Sequence, residues 1–146
     1  MPVSKKRKSP NRTARVPSKR YLLPMPRQDA DGLCLQTRLA LEAARSGRAA
    51  TREMTVLAQA VLLTSFLTES GHGLLPLSWV HQVEKAVLAV LDTGKNTGDW
   101  NVDEAIIESL TVIVNEHDRQ LREVRFSEVV AATERLDKMI VAALRN

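Results

Sequence analysis

The segment TREMTVLAQAVLLTSFLTES, residues 51–70, carries the clearest structural signal in this chain of 146 residues. Thr51 is suited to cap a helix, and the helix dipole favours Glu53 in the first turn. Gly71 and Gly73, which follow the segment, are expected to end the helix. We therefore predict a helix over about 52–70. Its apolar residues recur three or four positions apart, as on one face of a helix, and they are Met54, Leu57, Ala58, Val61, Leu62 and Phe66.

Similar periodicity predicts four further helices on both sides of this segment. No window shows the sustained apolar and polar alternation that is typical of strands. Because every apolar stripe has to be covered by another element, we predict an all-α bundle of about five helices over residues 29–146. The four helices are expected at about 32–46, at about 77–93, from Asn101 onward, and at about 128–144.

Polar residues and glycines set the expected ends of these helices. Asp29 or Asp31 would cap the first helix, and Gly47 would end it in a left-handed conformation. The helix over 77–93 is entered through Pro76, which suits a helix start, and is expected to end at Gly94. The expected caps of the last two helices are Asn101, with Glu104 completing a capping box, and Ser127.

Charge is distributed unevenly along the chain. Residues 1–28 hold nine Lys/Arg and no acidic residue, a net charge of +9, whereas residues 29–146 hold 12 Lys/Arg and 17 Asp/Glu, a net charge of −5. Five of the six prolines also fall within residues 1–28, and proline interrupts helices. Because its like charges repel and it has little apolar surface to bury, we predict that residues 1–28 form a disordered basic tail, here called the basic arm.

A flexible strand with nine cations can follow a phosphate backbone and release the counterions bound there. We therefore predict that the basic arm binds nucleic acid, DNA more than RNA. Other interpretations stay open: a solubilising tail, a patch for acidic proteins or lipid headgroups, and a nuclear localisation signal in the run Lys5–Lys8. The expected phosphate partners are Lys5, Lys6, Arg7, Lys8, Arg12, Arg15, Lys19 and Arg20.

A second basic group surrounds the turn at Gly47, where Arg45, Arg48 and Arg52 could contact phosphates together with the basic arm. A helix-turn-helix motif with Gly47 at its central turn fits poorly. Charged residues would then fall at positions that should be buried, and burying unpaired charges is costly. The pattern favours an ordinary αα-hairpin with a basic corner, the name used below for these three arginines.

Residue types that carry catalysis or bind metal are sparse. The single cysteine, Cys34, excludes an internal disulfide framework and any zinc site with several cysteines. No nucleophile elbow, P-loop or dinucleotide-binding glycine pattern occurs. His72, His81 and His117 lack the repeated Glu-x-x-His spacing of a di-iron bundle. We predict that the protein is not an enzyme and has no cofactor, no catalytic residue and no metal ligand.

No run of 18 apolar, uncharged residues and no secretory signal occurs, so we expect a cytoplasmic protein without a membrane partner.

The stretch LQTRLALEAARSG, residues 35–47, followed by Val56-Leu57 and VLLT at 61–64, resembles small bacterial proteins labelled Fis family transcriptional regulator. The resemblance covers about residues 33–125 and implies a bacterial DNA-binding protein with a C-terminal helix-turn-helix. In this chain, residues 127–146 contain no glycine for such a turn.

Two functions are thus expected from different classes. The leading hypothesis is a nucleic-acid-binding accessory or regulatory protein that uses the basic arm. The competing hypothesis is a helical protein–protein interaction module, which would pair with itself as a homo-oligomer or with another protein.

Overall fold

Helix follows helix through residues 19–145, the part of the chain that the computed structural model describes, and no strand occurs among them. The predicted all-α architecture is confirmed. A π-helical turn, Thr68–His72, directly follows the third helix, and within it Gly71 leaves the helical conformation with a φ of 92°. The helices are α1, Lys19–Leu22; α2, Arg27–Arg45; α3, Thr51–Leu67; α4, Leu77–Thr97; α5, Glu104–Glu123; and α6, Phe126–Arg145.

Helix α3, which covers most of the segment predicted over 52–70, lies at the centre of the bundle. It packs against α2, α4, α5 and α6. Its apolar residues extend well beyond one stripe, and ten of its side chains are buried. A helix that is apolar on several sides is stable only where neighbours cover each of those sides.

Buried apolar side chains form two clusters along the bundle. The first cluster joins α3 to α4, to the C-terminal half of α2 and to the N-terminal half of α5, and it includes Leu41, Met54, Leu57, Val61, Val80, Val87, Leu110 and Ile113. The second cluster joins the opposite ends of α2, α3 and α5 to α6, and it includes Met25, Cys34, Leu62, Phe66, Leu121, Val129 and Leu136.

The end of α2 agrees with the sequence, whereas its start does not. Gly47 has a φ of 73°, the left-handed conformation that was predicted to end this helix. The helix begins at Arg27 directly after Pro26, so the prediction that Asp29 or Asp31 caps it is wrong. Pro26 suits the boundary, because proline tolerates the position before the first helical turn, where no N–H is required.

The prediction that Thr51 caps α3 is also wrong. Thr51 is the first helical residue, and the cap is Ala50. The N–H of Ala50 donates to Oε2 of Glu53 at 2.9 Å. This hydrogen bond lowers the pKa of Glu53 below its ordinary value.

Helix α4 runs one turn further than predicted. It continues through Gly94 to Thr97 and ends at Gly98, which has a φ of 75°. Gly94 is buried beneath the indole of Trp100, and a Cβ at this position would overlap that ring. The prediction that Gly94 ends the helix is therefore wrong, because this glycine serves close packing.

The last two helices begin near their predicted starts but with other caps. Helix α5 is capped by Asp103, so the capping box predicted for Asn101 and Glu104 is wrong. The N–H of Asn101 instead donates to Oδ1 of Asp99 at 3.0 Å, within the turn before the helix. Helix α6 begins at Phe126, so Ser127 lies inside it.

Residues 19–28, predicted as the end of the basic arm, form α1 and the start of α2. Met25 is buried in the second cluster, and the ring of Tyr21 stacks on that of Phe126 with centroids 5.6 Å apart. The N–H of Phe126 donates to the carbonyl of Leu23 at 2.8 Å. The boundary predicted between residues 28 and 29 thus falls inside α2.

A polar network holds the π-helical turn against α5. Oε2 of Glu116, a buried carboxylate, accepts from the N–H of Leu74 at 2.6 Å. Nε of Arg119 lies 2.5 Å from Oε1 of Glu116, and its Nη2 donates to the carbonyl of His72 at 2.9 Å. The sequence Ser70–Gly73 is therefore a structural turn, and Arg119 satisfies the carbonyl of His72 within it. None of the helices in residues 19–145 is long and apolar enough to cross a membrane.

Candidate nucleic-acid interface

Four exposed cations surround the point where the basic arm joins the bundle. Lys19 and Arg20 lie on α1, Arg27 begins α2, and Arg125 lies in the turn between α5 and α6. None of the four forms an ion pair within residues 19–145. This group is called the basic end below. Uncompensated guanidinium and ammonium groups are those best able to bind phosphate.

The packing of α1 determines the position of the basic end. Tyr21 and Met25 dock on the bundle, and the hydrogen bond from Phe126 to Leu23 joins this segment to the start of α6. Arg125 directly precedes Phe126, so this contact brings it close to the N-terminal cations.

Six of the predicted phosphate partners lie outside the described residues: Lys5, Lys6, Arg7, Lys8, Arg12 and Arg15.

The basic corner at the turn between α2 and α3 is partly neutralised. Nη1 of Arg45 lies 2.9 Å from Oε2 of Glu42, and Nη2 donates to Oγ1 of Thr111 at 3.3 Å. Nε of Arg48 donates to Oγ of Ser46 at 3.1 Å. Arg52 is exposed and forms no ion pair within the described part of the chain. Arg48 and Arg52 thus keep their charge uncompensated.

The structure does not bring the basic end and the basic corner together. They lie at opposite ends of α2, which has 19 residues. At 1.5 Å per residue, a helix of this length separates them by roughly 28 Å. Helix α3, the second helix of the αα-hairpin, is surrounded by four other helices and leaves little surface for a DNA groove.

The other arginines of residues 29–135 with close acidic partners lie along α2, α5 and α6. Their ion pairs are Arg38 with Asp118, Arg119 with Glu116 and Glu123, Arg122 with Asp118 and Asp31, and Arg135 with Glu69. Burial by itself raises the pKa of Asp118, but hydrogen bonds from Arg122 and Arg38 outweigh it and lower that pKa below its ordinary value. Asp118 is thus held in its ionised form, and the ion pairs neutralise these arginines within the bundle itself.

Two members of the basic end were missing from the residues predicted to bind phosphate. Arg27 belongs to the run of cations in residues 1–28, so that run contained a signal for it. Arg125 lies far along the sequence between the two last helices. Only the contact between Leu23 and Phe126 reveals that Arg125 belongs with the N-terminal cations.

Cys34 and His117 are both buried, and Asp118 lies near each of them. Cys34 is buried in the second cluster, and burial raises the pKa of its thiol, which favours the less nucleophilic neutral form. Burial also disfavours the charged form of the His117 imidazole, which lowers its pKa to about 4. His81 lies 3.5 Å from Glu69, and within residues 19–145 no three potential metal ligands cluster together.

Comparisons of the chain with protein-family models, with curated proteins and with solved structures gave no match. Its functional interpretation therefore depends on its own residues and their arrangement.

Proposed function

We propose that this protein is a non-enzymatic, nucleic-acid-binding accessory or regulatory factor that contacts phosphates through the basic arm. The observation that carries the proposal is the segregation of charge, +9 over residues 1–28 against −5 over residues 29–146. A polyanion is attracted to the first region and repelled on average by the second. This difference would orient the bundle with its N-terminal side toward the nucleic acid.

The contrast in ion pairing supports the same orientation. Lys19, Arg20 and Arg27 have no acidic partner among the described residues, whereas most arginines on α5 and α6 have one or two. A paired arginine must lose its carboxylate partners before it can bind phosphate fully. The basic end, including Arg125, would therefore extend the binding surface of the basic arm onto the bundle.

The basic corner would supply a second, weaker contact. An extended chain of 18 residues reaches at most about 60 Å. The basic arm could therefore follow a duplex past α2 to the level of Arg48 and Arg52. Arg45 contributes less, because Glu42 already neutralises it.

We expect duplex DNA to be preferred over single strands because residues 1–28 offer few aromatic rings for base stacking. Proteins that bind single strands stack bases on exposed aromatic rings. Tyr21 is the only aromatic residue in residues 1–28, and its ring is stacked on Phe126. The resemblance to proteins labelled Fis family transcriptional regulator also implies DNA, although here the basic arm takes the role that α6 would have in that family.

The proposal is tested by comparing the full chain with a variant that lacks residues 1–18. This deletion removes six cations but keeps Met25 and the packing of α1, so the helical circular dichroism should be unchanged. Binding to duplex DNA is measured by fluorescence anisotropy over a range of salt concentrations. If all six cations contact phosphates, the slope of log affinity against log salt should decrease in magnitude by about 5.

Equal affinity and equal slope for the two chains would overturn the proposal. A flat salt response together with a protein that co-purifies after nuclease treatment would favour the interaction module instead. Competition with duplex RNA and with single-stranded DNA then ranks the nucleic acids. We expect duplex DNA to compete best.

The contribution of the basic end is tested separately in the full chain. The double variant Arg27→Ala, Arg125→Ala should reduce the salt slope by about 2, one for each lost phosphate contact. The matched control is Lys85→Ala, Lys95→Ala, two exposed lysines of α4. We expect the control to bind like the unmodified chain, and equal losses in both would disprove a localised basic end.

A further inference from the structure

Two large apolar side chains lie exposed beside the cations of the basic end. Leu22 is 50% exposed and Leu23 is 59% exposed, and they are called the leucine pair below. They lie between Arg20 and Arg27 in the sequence, and the hydrogen bond to the carbonyl of Leu23 brings Arg125 close to them. Adjacent exposed leucines leave apolar surface in water, and a partner that covers this surface is favoured.

The backbone that carries the leucine pair is anchored on both sides. The ring of Tyr21 stacks on that of Phe126, and the N–H of Phe126 donates to the carbonyl of Leu23 at 2.8 Å. Met25 is buried in the second cluster, and the prolines on either side of it each fix a φ angle. Because Tyr21 and Met25 already make the contact with the bundle, the leucine pair between them is held on the surface.

We propose that the leucine pair is a wedge that inserts between two base pairs of duplex DNA from the minor groove. This inference rests on the proposed binding of DNA and specifies how the basic end would contact it. Minor-groove proteins frequently insert leucine or another apolar side chain into a base step, which partly unstacks the two base pairs and kinks the duplex. The faces of the unstacked bases then cover the inserted side chains.

Charge around the leucine pair favours DNA as the partner. Lys19, Arg20, Arg27 and Arg125 are exposed and form no ion pair within residues 19–145. Cations on both sides of a wedge can bind the phosphates of the two strands that border the minor groove. A complementary partner must therefore combine dense negative charge with apolar surface directly behind it. Duplex DNA has both, in its phosphates and its stacked bases.

The small size of the leucine pair argues against a protein partner. A stable protein–protein interface buries about 800 Å² on each side, with roughly 20–30 residues from each partner. Two leucines at the end of a helix of four residues supply only a small part of that area. A wedge, by contrast, has only to replace the contact between two neighbouring base pairs.

A wedge should also prefer DNA sites that unstack easily. Pyrimidine–purine steps such as TA are flexible and kink readily, whereas A-tracts are stiff. We therefore expect the full chain to bind a duplex with a central TA step more tightly than a uniform A-tract of the same length. Equal affinity for the two duplexes would contradict the wedge.

Two labelled versions of the TA duplex test the insertion directly with the full chain. In the first, a fluorescent adenine analogue at the central step becomes brighter when it is unstacked. In the second, dyes at the two ends report a kink as increased energy transfer, because a kink of roughly 20–90° brings the ends closer together. We expect both signals to rise as the duplex is saturated with the unmodified chain.

The double variant Leu22→Ala, Leu23→Ala removes the wedge and leaves every cation in place. It should lose most of both signals and bind the TA duplex about tenfold more weakly, because less apolar surface is buried. Its salt slope should be unchanged, since no phosphate contact is lost. The matched control is Leu35→Ala, Leu39→Ala, which changes two leucines of α2 that are 59% and 61% exposed. The control should behave like the unmodified chain.

The possible outcomes separate the wedge from the proposed function. Binding with the expected salt slope but without a rise in either signal would overturn the wedge and leave the proposed function intact. Equal signals from the unmodified chain and the Leu22, Leu23 variant would also overturn it. A variant that changed only the oligomeric state would assign the leucine pair to a contact between copies, again against the wedge. Failure of the unmodified chain to bind duplex DNA would overturn both proposals.

Discussion

The two apolar clusters of this bundle differ in what surrounds them. The first cluster is aliphatic and lies between four helices, and its central residues Leu57, Val80 and Leu110 have no exposed surface. The second cluster is bordered by buried polar side chains and by residues 19–26, the C-terminal part of the basic arm. The basic end lies at the second cluster, whereas the basic corner lies beside the first, next to Ala44 and Ala49. The comparison indicates that the first cluster is the better enclosed of the two.

Buried polar groups accompany the second cluster. His117 and Gln120 are both buried, and Nδ1 of His117 and Oε1 of Gln120 have no hydrogen-bond partner within the described residues. Unsatisfied buried polar atoms reduce stability. We therefore expect these two atoms to destabilise the region around the second cluster.

The largest expected effect is a difference in the free energy of unfolding between core variants of the two clusters. Leu110→Ala, in the first cluster, should lower the free energy of unfolding by about 4–5 kcal/mol, because a fully enclosed site cannot collapse around the cavity. Met25→Ala, at the edge of the second cluster, should cost about 2 kcal/mol, since the short segment before α2 can shift toward the cavity. Urea denaturation at one protein concentration measures both. Equal losses would remove the distinction between the clusters.

Lowering the pH should destabilise the fold near the second cluster, because His117 is buried there in its neutral form. Burial lowers the pKa of this imidazole to about 4 in the folded chain, whereas the unfolded chain takes up the proton near its ordinary value of 6.5. Stability should therefore fall as the pH is lowered from about 6.5 to 4, by about 3 kcal/mol.

The variant His117→Gln provides the control for this pH dependence. Glu116 and Asp118, whose pKa values are also lowered, titrate in both proteins and cancel in the difference. Urea denaturation at several pH values should show a smaller loss in the variant over this interval. An identical profile in the two proteins would show that His117 is accessible to protons in the folded state.

The smallest effect contrasts two glycines near opposite ends of the bundle. Gly94→Ala should destabilise the first cluster by about 1–3 kcal/mol, because the added methyl group overlaps Trp100. Gly32→Ala, in the part of α2 beside the second cluster, has open space and should stabilise the helix by up to about 1 kcal/mol. Thermal unfolding measures both changes. Stabilisation by Gly94→Ala would contradict the packing described for Trp100.

The sequence predicted the helices better than their ends. The periodicity of α3 and the left-handed turn at Gly47 depend on local geometry, and both predictions were confirmed. Gly94 was misjudged because its role depends on Trp100, which folds back over it from the following turn. The capping residues were misjudged because α2 and α3 begin after Pro26 and Ala50, which have no capping side chain, so packing and not a polar cap sets where these helices start.

The candidate interface likewise contains residues that the sequence predicts and residues that only the structure identifies. The cations of residues 1–28 are visible in the sequence as an uninterrupted basic region, because net charge is a property of composition alone. The membership of Arg125 is not visible there, since it follows from the hydrogen bond between Phe126 and Leu23. The stripe of α6 was predicted along its whole length, but only the packing shows that its second half is uncovered.

By itself, the sequence determined the helical class, the periodicity of each helix and the sorting of charge, since these depend on residue types and their spacing along one chain. Only the tertiary structure decided which apolar faces are buried, which arginines are neutralised and where the N-terminal segment docks. Those properties depend on distances between residues far apart in the chain, and no local pattern records them.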